Sequence, residues 1–417
     1  MPGWVEDKDL PSEVREDCEE LLMGSVDSLP EGELVRQIAL ARSQKRPLRV
    51  KLGVDPTAPD IHFGHTVVLR KLAQFQAFGH IAVLIIGDYT GKVGDPSGRS
   101  KTRPRVSDEE LAVNAVTYVE QAAKVLDMDK VELTRNSDWL GSLRMDEVLR
   151  LTSTVTVARM LERDDFSIRY QAGEPISMME FMYPLLQGYD SVAVKADVEL
   201  GGTDQKFNLL MGRTIMEAYG LVPQSILTVP LLVGTDGEQK MSKSYGNYVG
   251  VSDAPNEMFG KVMSIPDTIM LTYWRLLTGA GRHELDDIER RLGSGEYHPA
   301  SAKRDLAERL VAQYHSSETA KDARAHFDRV FRQKSDPEEM PVVSLPPQVI
   351  QNGLVWMPRL LTALGLASSN AEARRLMTQG GVRLQGELLR DSDSELEPGE
   401  LRGAVLQVGK RRFVKIE

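Results

Sequence analysis

The stretch LRVKLGVDPTAPDIHFGHTVVLRKLAQFQAFGHIAVLII, residues 48–86, decides the fold. Its first part, residues 48–54, is predicted to be a strand that ends at the turn-forming Asp55-Pro56-Thr57. Residues 64–78 then place apolar side chains at helical spacing, and residues 81–86 form an uninterrupted apolar run. Such runs are typical of strands that are buried on both faces of a parallel sheet. The segment therefore predicts a strand–helix–strand unit.

The alternation of strands and helices continues after this unit. Residues 108–126 predict a helix, residues 131–133 a strand, and residues 227–233 a further strand. Because this order persists over about 180 residues, we predict an α/β fold with a Rossmann-type, doubly wound parallel sheet.

Further units are indicated on both sides of this α/β region. Residues 255–333 show helical patterns without a convincing strand, and a proline-rich stretch follows at 341–347. Two short helices and three strand-like segments then complete a small α+β unit. The predicted organisation is an N-terminal helical arm with a turn at 28–32 (1–45), a catalytic domain with a helical insertion (46–251), an α-helical domain (252–340), a linker (341–351) and the α+β unit (352–417).

Composition limits the class of protein. The 417 residues are 41% hydrophobic and 27% charged, which is typical of a globular protein with two or three domains. We expect no membrane span, no signal peptide and, with Cys18 as the single cysteine, no disulfide or multi-thiolate zinc site. These features predict a cytoplasmic protein. The net charge of −10 argues against non-specific coating of nucleic acid, although a local basic patch is compatible with it.

The loop after the first strand carries two histidines, in His62-Phe63-Gly64-His65, at the start of a predicted helix. Exposed N–H groups at a helix N-terminus favour an anion, so phosphate binding and simple helix capping are both compatible with the pattern. A metal site is less favoured, because two histidines three residues apart have no obvious third ligand. The loop lacks the glycine patterns of NAD-binding and P-loop proteins.

A second segment, Lys240-Met241-Ser242-Lys243-Ser244, follows the strand predicted at 227–233. Two lysines in a loop near glycines provide mobile cations for a polyphosphate, and phosphoryl or nucleotidyl transfer depends on such charge stabilisation. A solvated surface loop is the alternative interpretation of these five residues.

Together the two segments resemble the HIGH and KMSKS motifs of class I aminoacyl-tRNA synthetases. The resemblance implies that ATP binds across both motifs, that an amino acid carboxylate attacks the α-phosphate, and that Mg²⁺ accompanies ATP without a protein-ligated metal. The implied catalytic residues are Thr57, His62, His65, Lys240 and Lys243. The implied ATP-binding residues are Gly53, Asp55, Gly64, His65, Gly202, Asp204, Met241, Ser242, Lys243 and Ser244.

Three polar residues, Tyr183, Gln187 and Asp190, share one face of a predicted helix. An ordinary amphipathic helix with its polar face in water has the same spacing. With the segments 90–98 and 200–205, however, the pattern is similar to the tyrosine pocket of tyrosyl-tRNA synthetases. This resemblance implies a set of tyrosine-binding residues: Thr90, Asp95, Tyr183, Gln187, Asp190 and Gln205. Within that set Asp95, Tyr183 and Gln187 would bind the ammonium group, Asp190 the phenol hydroxyl, and Gln205 would lie near the carboxylate.

One position departs from the family pattern. Lys51 stands where many members have a tyrosine that reaches the substrate hydroxyl. It either donates to that hydroxyl and neutralises Asp190, or points away from the pocket.

Residues 369–386, with the strand-like segments after them, resemble the S4 RNA-binding domain. The basic residues expected to contact RNA phosphates are Arg374, Arg375, Arg383, Lys410, Arg411 and Arg412. Bacterial-type tyrosyl enzymes end in such a domain and tryptophanyl enzymes do not, so the resemblance favours tyrosine and tRNA(Tyr) as substrates. It also implies a homodimer formed through the catalytic domains. A small-molecule nucleotidyltransferase and a catalytically idle RNA-binding protein remain as alternatives.

Overall fold

The computed structural model describes residues 11–57, 59–97, 107–332, 340–409 and 412–417. The chain divides into two units, residues 1–320 and 321–417.

A six-stranded sheet forms the centre of the first unit, in the spatial order β1-β6-β5-β2-β3-β4. The strands from β2 to β6 pair in parallel, and the order of these five strands is that of a doubly wound Rossmann sheet. The prediction of this fold is confirmed. The bounds of the strands are β1 (Asp27–Leu29), β2 (Arg49–Val54), β3 (Ile81–Ile86), β4 (Val131–Arg135), β5 (Val198–Gly202) and β6 (Ser225–Val229).

Strand β6 is shorter than the sequence predicts at its carboxyl end. The prediction of a strand through residue 233 is wrong, because the strand ends at Val229, before Pro230. A proline lacks the N–H that a ladder position requires. The chain therefore leaves the sheet earlier and enters the loop that holds Lys240–Ser244.

The N-terminal region joins the sheet. Residues 28–32, predicted to be a turn between helices, begin with the end of β1, which pairs antiparallel with β6 at the edge of the sheet. Asp27 supports this pairing, because its backbone N–H donates to the Thr228 hydroxyl at 3.1 Å and its carboxylate accepts from the Thr228 hydroxyl at 2.7 Å. Such a pairing depends on a partner about 200 residues away and carries no local signal.

Helices cover the sheet and form an insertion between β4 and β5. Helix α3 begins at Phe63, directly after His62, and α10 lies next to α11. The bounds are α1 (Ser12–Leu22), α2 (Glu33–Ser43), α3 (Phe63–Ala77), α4 (Thr90–Val93), α5 (Asp108–Ala122), α6 (Ser137–Leu140), α7 (Met145–Thr152), α8 (Val157–Met160), α9 (Asp164–Gln171), α10 (Met178–Val194) and α11 (Lys206–Ala218).

The predicted helical region after the sheet is also present. Its helices are α12 (Pro255–Met263), α13 (Asp267–Leu277), α14 (Arg282–Gly293), α15 (Pro299–Tyr314) and α16 (Ser317–Phe327). None of the described helices is long and apolar enough to cross a membrane.

The second unit combines short helices with two small sheets, ordered β11-β10-β13-β14-β7 and β12-β9-β8. Its core includes the fully buried Val355, Leu360, Met377 and Leu406. The segment 341–351, expected to be a linker, contributes β7 and β8 to these sheets. The bounds are β7 (Val342–Val343), β8 (Ile350–Gln351), β9 (Leu354–Trp356), α17 (Met357–Ala363), α18 (Asn370–Thr378), β10 (Val382–Leu384), β11 (Glu387–Leu388), β12 (Glu395–Leu396), α19 (Pro398–Leu401), β13 (Val405–Val408) and β14 (Arg412–Ile416).

Candidate active site

A cavity of about 690 Å³ opens at the carboxyl ends of the parallel strands. It lies beside β2, where the strand order changes direction between β5 and β3, which is the usual ligand position in an open α/β sheet. All the residues that the sequence predicts for ATP, tyrosine and catalysis line this cavity, with Lys243 as the exception. Four segments far apart in sequence therefore meet at one site.

The two histidines of the first motif cap helix α3 and also face the cavity. Nδ1 of His62 accepts from the backbone N–H of Gly64 at 3.1 Å, and Nδ1 of His65 accepts from that of His62 at 3.2 Å. Burial lowers the pKa of His62 to about 2, with smaller contributions from His65 and Lys243, and lowers that of His65 to about 4, with a smaller contribution from Lys243. Both imidazoles are thus neutral near pH 7, and with Nδ1 accepting, Nε2 carries the proton. Each ring therefore caps the helix through Nδ1 and carries a hydrogen-bond donor at Nε2.

Gly64 is required between these histidines. A Cβ at this position would lie 2.9 Å from Cε1 of His62, a distance that side chains do not tolerate. The glycine therefore lets the backbone approach the imidazole and leaves an open wall on the cavity.

The second motif is held against the first by backbone hydrogen bonds. The N–H of Phe63 donates to the carbonyl of Val249 at 2.9 Å, and the N–H of Val251 donates to that of Ile61 at 3.0 Å. Asn247, which the sequence analysis missed, accepts from the N–H of Ser242 at 2.8 Å. These contacts fix the base of the loop 240–244 to the start of α3.

The two lysines of this loop occupy different places. Lys240 lines the cavity, with its Nζ 4.0 Å from the Asp204 carboxylate. Lys243 Nζ lies 3.0 Å from the carboxylate of Asp60, a half-exposed side chain of the first motif's loop. Lys243 is therefore near the histidines, whose pKa values it lowers, but does not line the cavity.

Helix α10 directs its polar stripe into the cavity rather than into water. Tyr183, Gln187 and Asp190 all line it, and the Asp190 side chain is buried. The Asp190 carboxylate accepts from Trp139 Nε1 at 2.8 Å and from Asn136 Nδ2 at 3.2 Å. Burial raises the pKa of Asp190 to about 7 against the opposing charge of Lys51 and these two hydrogen bonds.

Asp55 links the two halves of the predicted site. It was assigned to ATP, and its carboxylate accepts from the Thr90 hydroxyl at 2.7 Å and from the Tyr183 hydroxyl at 2.8 Å. Burial, with the charge of Asp55, raises the pKa of Tyr183 well above its ordinary value, so its phenol stays protonated as a donor.

Lys51 points away from the cavity. It is fully buried, and its ammonium donates to the carbonyl of Gln187, the hydroxyl of Ser191 and the carboxylate of Glu199, each at 2.8 Å. The second of the two alternatives for Lys51 therefore describes the structure. The lysine does not line the cavity and stabilises α10 from behind it, while its charge still opposes the rise in the pKa of Asp190.

Several supporting residues had weak sequence signals. Asn136 directly follows β4, and this position at the carboxyl end of a strand was a usable clue. Trp139 and Arg163 lie in the helical insertion, where nothing local marks their long-range contacts with Asp190 and Asp95.

The predicted RNA-binding residues of the second unit lie on α18, β10 and β14. Arg374 and Arg375 are exposed on α18, although Arg374 pairs with Asp393 at 2.9 Å. Arg383 is half-buried and donates to the Gly386 carbonyl, and the exposed Arg412 donates to that of Leu366. Lys410 and Arg411 lie outside the described residues.

Within the described residues, no three His, Cys, Asp or Glu side chains are grouped so that they could hold a metal ion.

Comparison with known proteins identifies the family of the chain. The family model of class I tRNA synthetases (W and Y) matches residues 43–332, and that of the S4 domain matches residues 355–401. Fold and site thus define a class I tRNA synthetase. The tyrosine–tRNA ligase of Moorella thermoacetica is 51% identical over 414 residues, 99% of this chain and 98% of the relative. That of Carboxydothermus hydrogenoformans is 49% identical over 404 residues, 97% of this chain and 98% of the relative. The chain belongs to the bacterial-type tyrosine–tRNA ligase family.

The fold is shared with more distant enzymes. A C-terminally truncated mitochondrial tyrosyl-tRNA synthetase from Aspergillus nidulans superposes with a TM-score of 0.64 at 23% identity. The match covers 78% of this chain and 96% of that one.

Proposed function

We propose that the chain activates L-tyrosine with ATP, forming tyrosyl-adenylate and pyrophosphate, and then transfers tyrosine to the 3′ end of tRNA(Tyr). The observation that carries this proposal is one cavity lined by two chemically distinct sets of groups. Neutral histidines and Lys240 form one set, and the other is centred on the buried Asp190, which accepts from Asn136 and Trp139. The tyrosine–tRNA ligases at about 50% identity support the same substrate.

ATP binds across the two motifs in this proposal. The glycines Gly53, Gly64 and Gly202 leave space for the adenosine, beside His65, Asp204, Met241 and Ser242. His62 and Thr57 donate to the phosphates, and Lys240 and Lys243 supply positive charge. Lys243 reaches the phosphates only after it leaves Asp60, so the loop 240–244 moves when ATP binds.

The reaction then needs no nucleophile from the protein. A carboxylate oxygen of tyrosine attacks the α-phosphorus, the bond to the bridging oxygen breaks, and pyrophosphate leaves with the electron pair. Holding the two substrates in line, and stabilising the charge that grows on the phosphate oxygens, accounts for the acceleration. The imidazole Nε2–H groups suit this role because they donate without titrating near pH 7.

Mg²⁺ enters with ATP. It prefers carboxylate and other oxygen ligands, whereas the groups proposed for the phosphates are imidazoles, lysines and the Thr57 hydroxyl. These side chains do not fit a protein-held Mg²⁺ site, so in this proposal the ion is coordinated by the phosphate oxygens of ATP.

The other set of groups recognises tyrosine. Asp190 accepts from the phenol hydroxyl, Asp95, Tyr183 and Gln187 bind the ammonium group, Gln205 lies near the carboxylate, and Thr90 lines the wall. A site that is built to bind a hydroxyl rejects phenylalanine because its own buried polar groups are left unpaired, and tyrosine–tRNA ligases are themselves the standard example of this effect. The phenol contact rests on Asp190, since Lys51 is engaged elsewhere.

The second unit binds tRNA in this proposal. The exposed Arg374, Arg375 and Arg412, with Arg383, Lys410 and Arg411, contact its phosphates. The proposed domains are those predicted from the sequence, and the proposed compartment is the cytoplasm.

The chain also forms a homodimer through its catalytic domain in this proposal. Apolar side chains of the helical insertion and of α10 are exposed, among them Met145, Leu149, Ile168 and Met178. A groove of about 580 Å³ in the same part of the chain is lined mainly by apolar side chains, among them Leu140, Leu143, Met182 and Leu186, and also by Lys92 and Asp108. Exposed apolar clusters of this kind mark protein interfaces. Replacing Leu149 with aspartate is expected to yield monomers in sedimentation, and an unchanged dimer would contradict this interface.

Charging of purified tRNA tests the proposed function. The full chain with ATP and radiolabelled tyrosine is expected to give acid-precipitable tRNA(Tyr), whereas labelled tryptophan gives none. Charging with tryptophan would keep the class of enzyme and overturn the assignment of the pocket.

A further inference from the structure

Arg163, between α8 and α9 of the helical insertion, makes a set of buried contacts outside the predicted site. Its side chain is only 5% exposed, although it carries a charge. The guanidinium contacts the carboxylate of Asp165 at 2.7 Å, that of Asp95 at 3.3 Å, the hydroxyl of Ser97 at 2.5 Å and the side-chain oxygen of Asn208 at 3.0 Å. Buried charges are retained in proteins where they are paired and hydrogen-bonded, as here.

Two of the contacted residues, Asp95 and Ser97, line the cavity, and both accept a hydrogen bond from a third lining residue, Gln205. Gln205 Nε2 donates to the second oxygen of Asp95 at 2.7 Å, and Asn208 Nδ2 donates to the side-chain oxygen of Gln205 at 2.9 Å. Arg163 therefore fixes Asp95 directly and Gln205 through Asn208. It is not itself among the residues that line the cavity.

The charges in this cluster have a consequence for an ammonium ligand. Arg163 alone would cancel the negative charge of Asp95. Asp165 contacts Nε of the same guanidinium whose Nη2 contacts Asp95, so two carboxylates share one cation. Asp95 thus stays attractive to a cation while its carboxylate is held in one orientation.

We propose that Arg163, balanced by Asp165, is a positioning residue that orients Asp95 and Gln205 for the ammonium and carboxylate groups of the amino acid substrate. This inference rests on the proposed function, because it requires that an amino acid occupies the cavity. It does not give Arg163 a contact with substrate.

Arg169 provides a matched control. It lies one helix turn and a half further along, on α9, is 3% exposed, and pairs with the Glu180 carboxylate at 2.5 Å. Its guanidinium also donates to the carbonyl of Pro175, and neither of these two partners lines the cavity. Both arginines are thus buried and ion-paired in the same insertion, and only Arg163 is connected to the cavity.

The test compares Arg163→Met, Arg163→Lys and Arg169→Met by ATP–pyrophosphate exchange with tyrosine. Because hydrogen bonds to charged groups are involved, Arg163→Met is expected to raise KM for tyrosine about tenfold or more, while KM for ATP changes less than about threefold. Arg163→Lys is expected to recover part of this loss, since lysine keeps the charge but not the planar fork. Arg169→Met is expected to lower the melting temperature without this selective rise.

Asp165→Asn keeps the proposal testable if Arg163→Met does not fold. It leaves Arg163 to cancel the charge of Asp95 and is therefore also expected to raise KM for tyrosine selectively. Equal effects of the Arg163 and Arg169 variants on both substrates, or an unchanged KM for tyrosine in the folded variants, would overturn the positioning role. Absence of exchange in the unmodified chain would instead overturn the proposed function, so the two failures are distinguishable.

Discussion

Lys243 is expected to act in catalysis while contributing little to stability. Its ion pair with Asp60 joins side chains that are 27% and 51% exposed. Exposed pairs of this kind are worth at most about 1 kcal/mol, so Lys243→Ala is expected to change the free energy of unfolding by no more than that. The same value is the upper limit of the free energy that is lost when Lys243 leaves Asp60 and moves to the phosphates of ATP.

The catalytic effect of this change is expected to be larger. One donor to a developing oxyanion is typically worth about 2.7–4 kcal/mol. After about 1 kcal/mol for the lost ion pair is subtracted, about 1.7–3 kcal/mol remains, so adenylate formation is expected to slow by at least tenfold, which requires only about 1.4 kcal/mol. Single-turnover formation of tyrosyl-adenylate at saturating ATP measures this step directly.

Two control variants separate charge from position. Asp60→Asn releases Lys243 and is expected to leave adenylate formation unchanged or to speed it by up to about fivefold, which corresponds to 1 kcal/mol. Lys130→Ala removes another exposed ion-paired lysine, which belongs to neither motif and does not line the cavity, and is expected to have no effect. A rate for Lys243→Ala within about twofold of the unmodified chain would refute the reasoning.

Three further predictions concern the pocket, its support and the second unit. Because burial raises the pKa of Asp190 to about 7, the carboxylate is protonated below that pH, and selectivity for tyrosine over phenylalanine in exchange assays should fall as pH drops through 7. Asp190→Asn should be poorly selective at every pH. Lys51→Met should lower the free energy of urea unfolding by about 3–5 kcal/mol, because it leaves the buried Glu199 unpaired, and adding Glu199→Gln should recover most of the loss. Replacing Arg374 and Arg375 with alanine should weaken tRNA binding, reduce its log–log salt slope by about one per lost phosphate contact, and leave exchange unchanged.

Each of these three expectations has a contrary outcome. If the selectivity of the unmodified chain for tyrosine over phenylalanine does not vary between about pH 6 and 8, Asp190 is not the titrating group that recognises the hydroxyl. A loss under about 1 kcal/mol for Lys51→Met would mean that water or a relaxed Glu199 compensates for the lysine. An unaltered salt slope of tRNA binding would place the two arginines away from RNA.

Local patterns predicted the parts of the fold and site that depend on local physics. The apolar run at 81–86 became β3 with the same bounds, and the polar residues of α10 share one face, as their spacing predicted. That this face lines a pocket was an expectation from the family resemblance. Strand β1 was missed because its pairing partner lies far away in the chain. The strand predicted at 227–233 ends earlier, at Val229, because Pro230 has no N–H to donate to the ladder.

Tertiary contacts decide what the sequence left open. From the sequence, Lys51 could point into the pocket or away from it. Only the folded structure shows that its ammonium donates its three hydrogen bonds to Glu199, Ser191 and a helix carbonyl. Arg163 has no motif around it, and its importance appears only when the insertion folds against Asp95. Side chains that act through another residue carry the weakest sequence signal.

The central claim is that this cavity joins ATP to tyrosine. ATP–pyrophosphate exchange with each of the twenty amino acids in turn tests it most directly. The account predicts exchange with tyrosine alone. Exchange with tryptophan instead would contradict the assignment of the pocket, and exchange with none of them would contradict the proposed reaction itself.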